Sequence, residues 1–175
     1  MQKITPFLWF DQEAEEAVKF YLTIFKGGKI REVVRYPEIA PHSSPESWPA
    51  PGSVMTIRFE LFGQEFVALN GGPVFKFNES ISFTVNCRTQ REVDHYWKKL
   101  TAGGGRPSQC GWLKDKYGLS WQIVPTVLVD LVTDKDPQLR SRVMEAMLQM
   151  SKLDIKRLQR AARKAPAKRP NKRRR

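Results

Sequence analysis

Apolar positions along the chain switch between two periods. Residues 3–10, KITPFLWF, read as a short strand. Asp11 then stands at a helix start, and Ala14, Val18, Tyr21, Leu22 and Phe25 recur at helical spacing until Gly27-Gly28 ends the pattern. Strand-like runs follow at about 29–36 (KIREVVRY), 53–61 (SVMTIRFEL) and 65–70 (EFVALN), the last two joined by a turn at Phe62-Gly63-Gln64. The Pro- and Ser-rich PEIAPHSSPESWPAPG that interrupts them is a loop. The order is strand, helix, three strands.

That order returns. SISFTVNC (80–87) is strand-like, Thr89 precedes the helix REVDHYWKKL, and Gly103-Gly104-Gly105 closes it. An offset of 76 sets Glu16 on Glu92, Phe20-Tyr21 on Tyr96-Trp97 and Gly27-Gly28 on Gly103-Gly104. Further strands end in the hairpin CGWLKDKYGLSWQIVP, Cys110 to Pro125, turning at Tyr117-Gly118. The chain therefore reads as α+β, a paired βαβββ core over residues 3–125, with module one at about 3–70 and module two at about 80–125. A helical extension over 126–163 follows. In it Asp136-Pro137 opens a helix whose stripe is Leu139, Val143, Ala146, Met147 and Met150, and a short helix spans about 154–162. The stripe predicts packing onto the core or onto a twin subunit. Residues 164–175 cannot pack and are expected to form a disordered basic tail.

Charge changes this picture only at one end. The chain holds 30 Lys and Arg against 18 Asp and Glu, but eleven of the basic residues lie between Lys156 and Arg175, where no acid occurs. The folded part is nearly neutral, so the basic excess belongs to the tail. Lys168, Arg169, Lys172, Arg173, Arg174 and Arg175 could hold nucleic acid weakly and without sequence preference, since clustered cations neutralise phosphates but no interleaved aromatics stack on bases. Two cysteines, an N-terminal apolar run followed at once by DQEAEE, and no apolar stretch near the roughly twenty residues a bilayer requires predict a reduced, cytoplasmic protein with no membrane partner.

LWF near the N-terminus, AVKFY, ALNGGPVFKFNESISF, EVDHYW, CGWLKDKYGLSWQIVP and AMLQMSKLDI together resemble the PhnB-like branch of the vicinal oxygen chelate superfamily, relatives of glyoxalase I and bleomycin-resistance proteins. The resemblance spans roughly residues 3–160 and implies glyoxalase-like modules whose eight strands form a curved mixed sheet around a cleft. Members of this branch often carry the label 3-demethylubiquinone-9 3-methyltransferase. A methyl donor in the common methyltransferase fold lies on a glycine-rich turn after the first strand of a parallel sheet. Here that junction is WFDQEAEEA, without glycine.

In metal-using relatives, His and Glu side chains project into the cleft from strands one, four, five and eight. The matching slots here offer Pro6, Asn70, Ser80 or Ser82 depending on register, and Gln122, none a strong ligand. His42 falls in the Pro/Ser loop and His95 on the second helix. The expectation is no metal and no cofactor. What remains is recognition: Leu8, Phe10, Phe75, Phe77 and Trp112, mixed with Asn70, Ser82 and Gln122, would make an apolar pocket with a few neutral polar groups, suited to a small apolar or aromatic organic molecule. The same aromatics could instead fill the core. Alternation along SWQIV sends Gln122 to the cleft and Trp121 and Ile123 to the other face. The expected protein is a homodimer that binds such a ligand without metal, for sequestration or conversion. The alternatives are methyl transfer, which rests on the family label, and nucleic-acid binding through the tail.

Overall fold

A computed structural model of the chain describes residues 2–39 and 49–163. His42 and the tail cations Lys168 to Arg175 lie outside the described residues. The chain divides into two compact units: unit 1 runs to Ile81 and takes in Tyr117–Leu119, and unit 2 holds Ser82–Lys116 and everything described from Ser120 onward.

Unit 1 contains β1 (Phe7–Phe10), α1 (Ala14–Ile24), β2 (Lys29–Arg35), β3 (Val54–Leu61) and β4 (Gln64–Asn70), in a four-stranded mixed sheet of order β1-β4-β3-β2. β1 lies parallel to β4, and the other pairs are antiparallel. Unit 2 repeats the arrangement with β5 (Phe83–Cys87), α2 (Gln90–Leu100), β6 (Arg106–Pro107), β7 (Trp112–Lys114) and β8 (Ser120–Pro125), in order β5-β8-β7-β6 with β5 parallel to β8. The offset of 76 carries Ala14–Ile24 onto Gln90–Leu100, end to end. These are the two βαβββ modules.

Strands begin later than the apolar runs suggest, for local reasons. Residues 80–82 are diverted because Asn78 Oδ1 accepts both the Ser80 N–H (3.0 Å) and the Ser80 hydroxyl (2.5 Å), an Asx turn that competes with the ladder. In unit 1 Pro6 lacks an N–H and offers only its carbonyl, which accepts Val67 N at 3.0 Å.

Helix α1 buries Ala14, Ala17, Val18, Tyr21 and Ile24, one stripe at helical spacing. That stripe lies on Leu8, Phe10, Ile57, Phe59, Leu61, Phe66 and Ala68, all buried and all on one face of the sheet by register, with Tyr21 stacked on Phe59 at 6.3 Å. In unit 2 the equivalent face carries Val85, Cys87, Leu113, Trp121 and Ile123, with Val93 and Leu100 of α2 buried beside them. Burying these side chains supplies the main driving force, at about 1.5–3 kcal/mol for each large one.

The extension comprises α3 (Thr126–Val132), α4 (Pro137–Leu148) and α5 (Ile155–Ala162), with Asp136 capping α4 and Asp154 capping α5 through their carboxylates. The sequence pattern signals α4 and α5 but not α3, which follows Pro125 directly. Leu128, Val143, Met150, Leu153 and Leu158 form its core, and Leu139, Ala146 and Met147 pack against them. The α4 stripe is thus covered by its own chain, which removes one ground for expecting a second copy. Gln90 fastens the extension to α2: its Nε2 donates to Leu153 O at 3.2 Å and its Oε1 accepts Ile155 N at 2.9 Å. Among the described residues no helix is long and apolar enough to cross a membrane.

Candidate ligand-binding site

The residues expected to line a pocket fall in both units. In unit 2, strand parity puts Ser82, Thr84, Trp112 and Gln122 on the sheet face away from Trp121 and Ile123: Gln122 pairs with Thr84 on one side and Trp112 on the other. Trp121 and Ile123 are buried, whereas Gln122 and Trp112 are half-buried. Gln122 Nε2 donates to Ser82 Oγ at 2.8 Å, which fixes the amide and leaves Gln122 Oε1 and the Ser82 hydroxyl hydrogen facing outward from that bond. An indole beside an oriented amide can stack a flat molecule and hydrogen-bond its edge. Two residues on, Val124 on the same face is packed under the helical extension.

Unit 1 distributes its candidates differently. Leu8 and Phe10, expected to face a cleft, are buried on the helix-covered face at 5% and 3% exposure. The difference is one of parity, since the odd-numbered Phe7 and Trp9 take the other face. Phe10 packs edge-on against Phe77 (5.2 Å) and Tyr117 (6.0 Å). Asn70 lies on that inner face too, opposite Phe10 in register, with both ends of its amide committed: Oδ1 accepts Ala14 N at 2.8 Å and Nδ2 donates to Val54 O at 2.9 Å.

Of the two aromatic residues on the outer face of β1, Phe7 and Trp9, sequence reasoning missed Trp9. Its Nε1 donates to Gly72 O at 2.8 Å, and Phe75 meets its ring edge-on at 4.9 Å. Gly71 lies against that ring so closely that a Cβ would collide with it, and Gly72 adopts φ +82. The NGGP run was the signal: two adjacent glycines before an aromatic loop mark a close backbone approach. Because Phe75 reaches one face of β1 and Phe77 the other, the loop wraps the free edge of that strand.

The remaining reactive side chains are engaged elsewhere. Asp115 is buried, and its Oδ2 accepts Trp121 Nε1 at 2.9 Å. Burial pushes the Cys87 thiol up to about 12, with Glu92 adding to the effect, so it stays protonated and unreactive. Cys110, half-buried with φ 56, gives its N–H to Met150 O at 2.7 Å; both cysteines are free. His95 sits on α2 with its ring edge-on to Tyr96.

The described residues at the positions expected to match a metal's ligands, Pro6, Asn70, Ser80, Ser82 and Gln122, carry no carboxylate or imidazole. Among the described residues no three His, Cys, Asp or Glu side chains gather as ligands would. Asn70 is occupied by backbone groups, and Gln122 is a neutral amide tied to Ser82. Nor is there a methyl-donor cradle of the parallel-sheet type: the sheets are mixed, and no glycine occurs in the β1–α1 junction.

Residues 2–124 match the protein family described as 3-demethylubiquinone-9 3-methyltransferase. Among solved structures, the chain is 35% identical to a PhnB protein from Bacillus cereus described as a 3-demethylubiquinone-9 3-methyltransferase, over 71% of this chain and 100% of that one, with a TM-score of 0.62. Protein PA1353 from Pseudomonas aeruginosa is 20% identical over 71% of this chain and 98% of its own, with a TM-score of 0.55, and shares the fold. A glyoxalase-related enzyme from Fulvimarina pelagi is 15% identical over 73% and 91%, with a TM-score of 0.43. No curated protein matches the chain.

Proposed function

The chain belongs to the 3-demethylubiquinone-9 3-methyltransferase family, PhnB-like members of the vicinal oxygen chelate superfamily, and from that premise we propose that it binds a small, flat, apolar or aromatic organic molecule without using a metal. One observation carries this reading: the half-buried Gln122 amide, oriented by Ser82 and flanked in register by Trp112, on the sheet face that α2 leaves uncovered. A neutral amide and an indole recognise a planar ligand by one directed hydrogen bond and a stacking surface, and neither demands an ion. Methyl transfer is not favoured: among the described residues the sheets are mixed and the β1–α1 junction has no glycine to cradle a methyl donor.

Quenching of tryptophan emission by a panel of planar aromatic compounds, each titrated with and without EDTA, tests the reading. Binding is expected to be indifferent to the chelator and to weaken about tenfold in Gln122→Ala, the scale of one lost hydrogen bond, while the denaturation midpoint barely moves. Equal loss of binding and stability would make Gln122 structural. A micromolar zinc, nickel or manganese site in calorimetry would overturn the metal-free part.

A further inference from the structure

We propose that helix α5 and the chain that follows it form a binding surface for duplex nucleic acid, gripped by its phosphate backbone and blind to base sequence. Four of the eleven basic residues between Lys156 and Arg175 stand on this helix or at its end: Lys156, Arg157, Arg160 and Arg163. Their spacing sets Lys156, Arg160 and Arg163 on one side of the helix, with Arg157 beside them. The opposite side carries Leu158, fully buried in the core of the extension, with Ala162 packed against that core.

All four cations are exposed, and none of their side chains is hydrogen-bonded or ion-paired with another described residue. Elsewhere on the surface cations are answered by acids of the same fold, as Lys19 is by Glu15, Arg58 by Glu32 and Lys152 by Asp94. From Ile155 to the end of the chain no acid occurs. Asp154, the nearest in sequence, is engaged as the helix cap, its Oδ1 accepting the Arg157 N–H at 2.8 Å. Like charges three and four residues apart destabilise a helix, so this stripe weakens the isolated chain and is relieved by an external polyanion.

The frame that presents the stripe is fixed at both ends. Asp154 holds the first turn, and at the last one Arg142 of α4 donates Nε to Ala161 O and Nη2 to Ala162 O, each at 3.1 Å. The chain then runs directly into residues 164–175, which hold the other seven basic residues. From Lys156 to Arg163 the rise is about 10 Å, and each strand of a duplex carries one phosphate per about 3.4 Å of axis. Helix α5 by itself therefore spans about three phosphates.

The residues favour this polyanion over others. An amphipathic helix lies on a bilayer through its apolar face, but here that face is buried in the extension, and residues 164–175 contain no large apolar side chain to insert. Single strands are held by stacking on aromatic rings, and no aromatic residue occurs from Ile155 onward. A rigid backbone of dense, regular charge, as in duplex DNA or RNA, needs neither.

The test is fluorescence anisotropy of labelled DNA and RNA duplexes of about twenty base pairs, in two unrelated sequences, titrated with the full chain over a series of salt concentrations. Saturable binding, equal for the two sequences and falling steeply with salt, is expected, and a preference for one duplex identifies the source of the backbone. Replacing the four cations together, Lys156→Gln, Arg157→Gln, Arg160→Gln and Arg163→Gln, should weaken binding about tenfold or more near 0.1 M salt and lower the slope of log affinity against log salt by about three. Because these side chains make no contact within the described fold and Gln suits a helix, the urea midpoint should equal or exceed the parent's, which separates lost binding from lost folding. Parental affinity and slope in this variant would overturn the proposal, as would the absence of saturable duplex binding. So would phosphatidylserine vesicles or polyglutamate bound more tightly than duplex at equal charge concentration, or a single strand bound as tightly as the duplex.

Discussion

The two modules start their helices by different means. In unit 2, Thr89 accepts the Glu92 N–H at 3.2 Å while the Glu92 carboxylate reaches back to the Thr89 N–H at 3.2 Å, a capping box contained within four residues. In unit 1 the equivalent position is Glu13, which caps nothing with its side chain. The first α1 amide is taken instead by Asn70, from the end of β4 and 56 residues away. The strand registers explain the exchange: the last pair of the parallel ladder is Phe10 with Asn70 in one module and Cys87 with Pro125 in the other. Proline has no side-chain acceptor, so α2 must bring its own cap. The duplicated fold thus preserves the need, an acceptor for an orphan amide, while changing the residue that meets it.

The largest expected effect breaks unit 1's solution. Asn70→Ala strands the Ala14 amide and the Val54 carbonyl in a site where Asn70 itself is only 7% exposed. Loss of two buried hydrogen bonds predicts a drop of about 2–4 kcal/mol in unfolding free energy by urea titration. Asn70→Asp sharpens the point. It keeps the acceptor for Ala14 but turns the donor toward Val54 O into a second acceptor, so it should remain destabilised although the volume is conserved. A loss no larger than that of an ordinary surface substitution would show that the inter-element bond contributes nothing.

Next in size is unit 2's solution. Thr89→Ala should cost about 1 kcal/mol, the usual worth of a helix cap, and faster hydrogen exchange should be confined to the first turn of α2 around Glu92. Because the box is local, the effect should stay local. The Asn70 variant, by contrast, should loosen β4, β3 and α1 together. If both variants raise exchange over the same set of amides, the contrast between the modules fails.

That contrast also fixes what could be read from the chain beforehand. The start of α2 was legible because Thr89 and Glu92 lie three residues apart, and both helix lengths followed from apolar spacing and terminal glycines. The side of β8 that Gln122 takes was legible too, since alternation along SWQIV sets it opposite Trp121 and Ile123, which are buried. Asn70 was not, because its partners at Ala14 and Val54 are far away in sequence and nothing in EFVALN names them. Alternation along FLWF gives two faces but not which is inward: a run of four apolar residues satisfies either choice. Only the loop that follows β4, with Gly71 beneath the Trp9 ring, decides it.

The smallest expected effect sits where the extension meets α2. Lys152 donates to Asp94 Oδ1 at 2.5 Å, and this hydrogen bond, opposed by slight burial and helped by Gln90, holds the Asp94 carboxyl below its ordinary 3.8. A carboxyl lowered in the folded state contributes stability that is full above about pH 4 and lost as pH falls through the lower folded value. Both side chains are over two-fifths exposed, so water and salt screen the pair. Asp94→Asn should therefore cost only about 0.3 kcal/mol at neutral pH in low salt, less in high salt, and nothing once the pH is low enough to protonate the parent. Gln90 is the stronger tie, because its amide satisfies two backbone groups of the extension that no salt concentration can screen. A variant series in which Asp94→Asn loosens α5 more than Gln90→Ala does would reverse that order and assign the docking of the extension to charge.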